Sequence, residues 1–503
     1  MPIPEKEPLS HSKNQRKTVT LHTQRQTDMK KSDLLLAHIR EGVLLTTSDK
    51  LKLIISLSIP SILAQITNVL MFYIDASMVG SLGADATAAI GLVEPAGWLF
   101  GSLTSAAAVG FSVQVAHFIG AKDFGKARKV MKEGYAFCLF LSLLLMLLAC
   151  WVAWPLPHWM GGTGEVSHQS SVYFFIYGLA APFFMTENLS SAMLKASGDM
   201  RHPSALSIIT CMLDVVFNFL LIFPTREISI AGLTFTMPGA GMGVAGAALG
   251  TTLAFVVTAL VLAYYAILHN PLLSWTKHRE RLSWEWGHIV NALKISAPMA
   301  LQYVLMNGAQ IVNTMIVAPL GNIAIASNTL AVTAESLCYM PGYGIGDAAS
   351  ILVGQTYGAG RKELCRSFAF MTVGLGMVVM AAMGALMWVF APEMISMLSP
   401  VESIRELGAS VLRIEAFAEP FFSAAIVTYQ VCVGAGDTLM PAVMSIGSMW
   451  GIRLTLAAVL APRYGLKGVW VAMALELTFR GTIFLIRLFR GGWLKLKPAS
   501  AQQ

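Results

Sequence analysis

The chain has 503 residues, of which 55% are hydrophobic and only 13% charged, and its mean hydropathy is +0.63. A water-soluble globular protein carries about 25% charged residues, so a soluble enzyme, a disordered chain and a nucleic-acid-binding domain are excluded. The net charge of +7 reads instead as a bias of Lys and Arg toward one side of a bilayer.

Residues 1–50 read as a polar tail. It has no apolar run that would make a signal peptide, and Glu5, Glu7, Asp28 and Asp33 argue against an organelle transit peptide. A disordered cytoplasmic extension is expected there, with at most a short amphipathic stretch around 34–45. From Leu51 onward, apolar segments recur at the length of about 20 residues that crosses about 30 Å of hydrocarbon as helix. They lie at 53–79, 87–118, 132–155, 170–194, 204–223, 243–268, 289–318, 323–356, 368–391, 407–433, 442–461 and 467–487. Short polar, Gly-containing turns join several of them. With the N-terminus placed inside, 28 Lys and Arg fall in the inner segments and four in the outer loops. Both termini are therefore expected in the cytoplasm. The six cysteines are scattered through mostly apolar runs without a CxxC pair, and read as packing residues.

The chain repeats itself. A shift of 238 places Pro60 on Pro298, Gly120 on Gly358, Arg128 on Arg366, Pro182 on Pro420 and Gly198-Asp199 on Gly436-Asp437, without a gap. Beyond Pro203 the offset falls to 222, which leaves about 16 extra residues in the outer loop 223–241. The expected fold is an all-α membrane protein of twelve transmembrane helices in two six-helix parallel repeats. Its parts would be a tail (1–50), an N-lobe (51–268), a linker (269–288), a C-lobe (289–490) and a C-terminal tail (491–503).

The opening span, with Ser58-Ile59-Pro60-Ser61 and Tyr73-Ile74-Asp75-Ala76-Ser77, resembles the first helix of the multidrug and toxic compound extrusion (MATE) family. Val353-Gly354-Gln355-Thr356-Tyr357-Gly358 resembles the end of that family's eighth helix, and the paired Gly-Asp loops resemble its cytoplasmic loops. The resemblance implies a secondary antiporter in the cell membrane that exports organic, often cationic, compounds against inward Na⁺ or H⁺. It implies no enzymatic step, no cofactor and no structural metal. The partners would be the lipid bilayer and small organic cations or drugs, with no nucleic acid, and the protein would act as a monomer.

An acid at the centre of a membrane helix costs about 2.5–3.5 kcal/mol, so such residues are candidates for chemistry. In the N-lobe these are Asp75, Glu94 and Asp214, with Asn218 one turn from Asp214 on the same face. The only base beside them is Lys195, at a helix end. Acids without an internal base point to a cation or proton site. A carboxyl removed from water binds a proton more readily, whereas Na⁺ needs several oxygens, which Asp75, Asn68, Asp214 and Asn218 would supply. By resemblance, Asp75 stands at the family's coupling acid, and Asp214 and Asn218 fall on an Asn/Asp pair in reversed order. The alternatives are that Asp75 caps a helix end and that Glu94 bonds a backbone group freed by Pro95.

In the C-lobe, Glu476 and Arg480 are spaced to form a neutralising pair, and Glu415 and Glu419 have Arg413 and Arg453 at hand. The positions where some branches of the family carry acids are near Met306 and Phe422, so Glu335, Glu419 and Arg453 are the remaining candidates there. Pro60, Pro182, Pro298 and Pro420 interrupt helices at repeat-related places and are expected to permit bending. Met71, Phe72, Met306, Met340 and Tyr339 are candidates for an adaptable cavity lining. Gly120 to Ala127 fits GxxxxGK but lacks the final Ser/Thr and follows an apolar helix, so ATP is not expected as the energy source. The competing readings are a flippase of lipid-linked saccharides on the same plan, and a membrane-bound receptor or enzyme. The first would need cationic residues in its cavity, and the second lacks catalytic motifs such as HExxH or GxSxG.

Overall fold

The computed structural model describes residues 31–230, 233–276 and 284–495; most of the expected tail and parts of the linker and C-terminal tail lie outside these. In chain order the first half contains α1 (Lys31–Glu41), α2 (Thr47–Gly80), α3 (Ala84–Gly120), α4 (Phe124–Val152), α5 (Pro155–Trp159), α6 (Gly164–Leu179), α7 (Ala181–Ser197), α8 (Arg201–Ile222) and α9 (Gly243–Tyr264). The second half contains α10 (Trp286–Val317), α11 (Asn322–Gly358), α12 (Lys362–Ser396), α13 (Glu402–Glu415), α14 (Glu419–Gly434), α15 (Leu439–Ser448) and α16 (Thr455–Arg490). Among the described residues, eight helical stretches are long and apolar enough to cross a membrane, or nine if α13 and α14, bent by 59°, count as one.

Each expected apolar segment lies on one of these elements, but several are broken. The fourth splits at Ala180 into α6 and α7, and the tenth splits between Glu415 and Glu419 into α13 and α14. Pro182 and Pro420 occupy the first turn after each break, where a missing N–H costs nothing, while Pro60 and Pro298 lie inside α2 and α10. The eleventh expected segment runs from α15 through a π-helical turn (Met449–Leu454) into α16. In α16 two helices join at a kink at Gly465 with φ of 60°, and the second carries the twelfth segment. The additional residues of the outer loop form a hairpin of β1 (Pro224–Ile230) and β2 (Leu233–Ala240), a departure from an all-α chain.

Within the expected tail, a helix lies where the short amphipathic stretch around 34–45 was expected. Residues 31–41 are helical, and α2 begins at Thr47 with a capping box between Thr46 and Asp49. Leu35, Leu36 and Ile39 of α1 are buried in one cluster with Leu53, Ile54 and Leu57 of α2, Met200, and Ala348, Leu352 and Phe368 of the second half. Arg361 donates to the carbonyls of His38 and Ile39, and Tyr357 to that of Lys495, so both described ends of the chain lie at one end of the bundle.

The halves pack through α2 against α11 and α3 against α10 and α11. At the end that carries the termini, α3 and α11 meet backbone to backbone. A Cβ on Gly120 would stand 2.0 Å from the Gln355 carbonyl oxygen, and one on Gly358 would stand 1.9 Å from that of His117. The side chains at 117 and 355 then reach across the seam: His117 Nε2 lies 2.8 Å from the Gly434 carbonyl, and Gln355 Nε2 donates to that of Ala196 at 2.9 Å. Every residue in this exchange is 238 positions from its counterpart.

Candidate functional site

Away from that seal, α2 and α8 bring together three polar side chains. Asn218 Nδ2 donates to Asp75 Oδ1 at 2.9 Å and to Asp214 Oδ2 at 3.2 Å. Asp214 and Asn218 share a face of α8 by their i,i+4 spacing and are fully buried, while Asp75 is half-buried. Gly250 on α9 makes room: a Cβ there would lie 2.1 Å from Asn218 Oδ1. Asp214 Oδ1 and Asn218 Oδ1 have no protein partner, and among the described residues no ion pair reaches Asp75 or Asp214. Asp75 lies inside α2, which runs on to Gly80, and its bond is to Asn218.

Asn68 does not join this group. It is seven residues before Asp75, roughly 10 Å along the helix, and accepts from Ser207 Oγ at 2.8 Å. The expected four-residue oxygen set is therefore three residues and one outlier, and no three His, Cys, Asp or Glu side chains are grouped as metal ligands among the described residues. Glu94 is apart too: its Oε1 accepts from Trp98 Nε1 at 3.2 Å, not from the backbone near Pro95.

Asn68 and Glu94 instead line a cavity of about 440 Å³ with Met71, Phe72, Trp98, Tyr173, Tyr177, Phe184, Phe255, Glu187 and Tyr303. Met71 and Phe72 belong to it as expected, whereas Met306, Met340 and Tyr339 do not; Met306 packs with Ala309 and Met449, and Tyr339 against Phe422. Glu187 escaped the sequence reading, although an acid in an apolar segment was the signal. A smaller cavity of about 170 Å³ continues toward the seal, lined by Asn188, Lys195, Met299, Tyr303, Asp347 and Gln430. There Lys195 Nζ and Ser61 Oγ donate to Asp347 Oδ2 at 2.9 and 2.8 Å. Asp347, in the eighth segment, was also not singled out.

The acids of the second half are arranged differently. Glu476 and Arg480 form two bonds of 2.7 and 2.6 Å, and Ser448 donates to Glu476 at 2.5 Å. Glu415 and Glu419 are fully buried, yet none of their carboxyl oxygens has a partner. The expected pairing with arginines does not occur: Arg413 turns to the Trp388 carbonyl and Arg453 to the sulfur of Met473. Glu335 is buried nearby at 5% exposure.

The MatE family profile matches residues 60–220 and 298–459, two stretches whose starts are the repeat-related Pro60 and Pro298. The chain is 24% identical over 446 residues to the probable multidrug resistance protein NorM of Thermotoga maritima, covering 88% of this chain and 93% of that protein. It is 27% identical to a protein of the same description from Pseudomonas aeruginosa, covering 84% and 86%. A crystal structure of MATE in complex with MaD3S superposes with a TM-score of 0.82 at 22% identity, over 93% of this chain and all of that one. An outward-facing multidrug resistance MATE family transporter of the MOP superfamily gives 0.80 at 22% identity, over 88% and 96%. Matched twice along its length by one family profile, the chain belongs to the MatE family of membrane transporters, the family its motifs resemble.

Proposed function

We propose that this protein exports organic cations by antiport, taking up Na⁺ or H⁺ at Asp75, Asp214 and Asn218 as cargo leaves. The observation that carries this reading is a carboxylate pair with no ion-pair partner beside an aromatic cavity that contains Glu94 and Glu187. Carboxylates among aromatic faces attract cations and suit a bulky cationic guest. Relatives described as multidrug resistance proteins support the same assignment. In this reading twelve spans form two six-helix lobes with both termini cytoplasmic. The lobes rock so that the seal at Gly120 and Gly358 alternates with closure at the other end, and Pro60, Pro182, Pro298 and Pro420 absorb the bending. Glu335, Glu419 and Arg453 are left outside the coupling step. The acidic cavity disfavours a lipid-linked phosphate, which the flippase reading requires.

Ethidium efflux from cells that express the protein tests the proposal. Asp75→Asn is expected to abolish efflux at unchanged protein level; normal pumping by that variant refutes the coupling assignment. Efflux by proteoliposomes under a sodium gradient without a pH gradient then separates Na⁺ from H⁺.

A further inference from the structure

The ion pair between Lys195 and Asp347 crosses the seam between the halves inside the cavity wall: Lys195 belongs to α7 and Asp347 to α11. It has no counterpart in the repeat, because 238 positions away stand Val433 and Val109. The pair is therefore specific to one side of the repeat. Any motion that parts the halves at the sealed end carries Lys195 away from Asp347 and leaves a partly buried carboxylate without its charged partner. Losing a partner there is unfavourable, so another cation that takes the place of the lysine favours the parting.

We propose that Asp347 is the carboxylate that receives organic-cation cargo when the sealed end opens, and that Lys195 is its resident substitute while that end is shut. This rests on the cation-export reading above. Reclosure brings Lys195 back onto Asp347 and expels the cargo toward Glu187, two turns away along α7 and on the wall of the larger cavity. Tyr303 lines both cavities and so provides an aromatic face along that path. The walls at Met299 and Tyr303 fit an organic ammonium or phosphonium better than a bare metal ion, which needs several oxygens.

The test is tetraphenylphosphonium binding to the purified full-length protein in nanodiscs. Lys195→Gln removes the competitor and is expected to tighten binding about tenfold, while Asp347→Asn weakens it by about tenfold, the worth of one charge-assisted contact. In the Asp347→Asn background, Lys195→Gln is expected to have no further effect. A pair that only holds the halves together is broken equally by either substitution, so shifts in the same direction overturn the assignment. The double variant places an amide against an amide and serves as the folded control. If the wild type itself binds no tetraphenylphosphonium, the cation-export reading fails and this assignment with it. If the wild type binds and the two single variants move together, only this assignment fails.

Discussion

Replacing Gly358 with Ala tests the seal directly. The new Cβ would stand 1.9 Å from the His117 carbonyl oxygen and 2.6 Å from its carbonyl carbon and Cα. Carbon and carbonyl oxygen rest about 3.3 Å apart, so the seam has to yield by roughly 1.4 Å. The obstacle is main chain on a long helix, which cannot rotate aside as a side chain does. A shift of that size also carries the His117–Gly434 and Gln355–Ala196 contacts, now 2.8 and 2.9 Å, beyond hydrogen-bonding range. Overpacking of this kind costs about 1–3 kcal/mol, which corresponds to a shift of roughly 5- to 150-fold away from the sealed state. Spin labels at Lys126 and Glu363, exposed beside the seal on opposite halves, give the separation by double electron–electron resonance on a cysteine-free background. Gly358→Ala is expected to add a longer-distance population. Gly120→Ala is expected to do the same, and the double variant little more, because both act on one seam. Gly374→Ala, with nothing within 4 Å of its Cβ, is the control and should leave the distances unchanged. A Gly358→Ala distribution identical to wild type refutes the reasoning.

Three further outcomes are expected. Gly250→Ala drives a methyl into Asn218 Oδ1, 2.1 Å away, and should cut ethidium efflux severalfold while tetraphenylphosphonium still binds; unchanged efflux counts against the role of Asn218. Glu476→Gln strips Arg480 of its charged partner and should lower stability by about 3–5 kcal/mol, as breaking a buried ion pair does; a thermal midpoint within a degree of wild type contradicts this. Pro60→Ala is expected to slow turnover more than it weakens cargo binding, because it stiffens α2; equal transport rates end that idea.

Much of the fold was legible in the sequence because a bilayer imposes a simple length rule on apolar segments, and because the two halves share an offset of 238. The Asp214–Asn218 pair was legible from helical spacing, and its grouping with Asp75 from the oxygens that a cation would need. What sequence did not reveal depends on rotation about helix axes. Depth along a helix matters as well: Asn68 and Asp75 both bond to α8, at Ser207 and Asn218, but two turns apart on α2, and Asn68 also lines the cavity. Arg413 and Arg453 lie close in sequence or depth to Glu415 and Glu419 but point to other partners. Gly120 and Gly358 were visible as a repeat match, but the need for glycine arises only where the helices touch. The hairpin was visible as additional length and not as strands.

The first helix has a practical consequence. It covers apolar side chains contributed by both halves, among them Met200, Leu352 and Phe368. A shortened chain that starts at Thr47 would bare that greasy strip to water, and such strips make proteins stick to one another. Affinity handles and fluorescent fusions are therefore better attached after Lys495 than spliced in place of the leading residues.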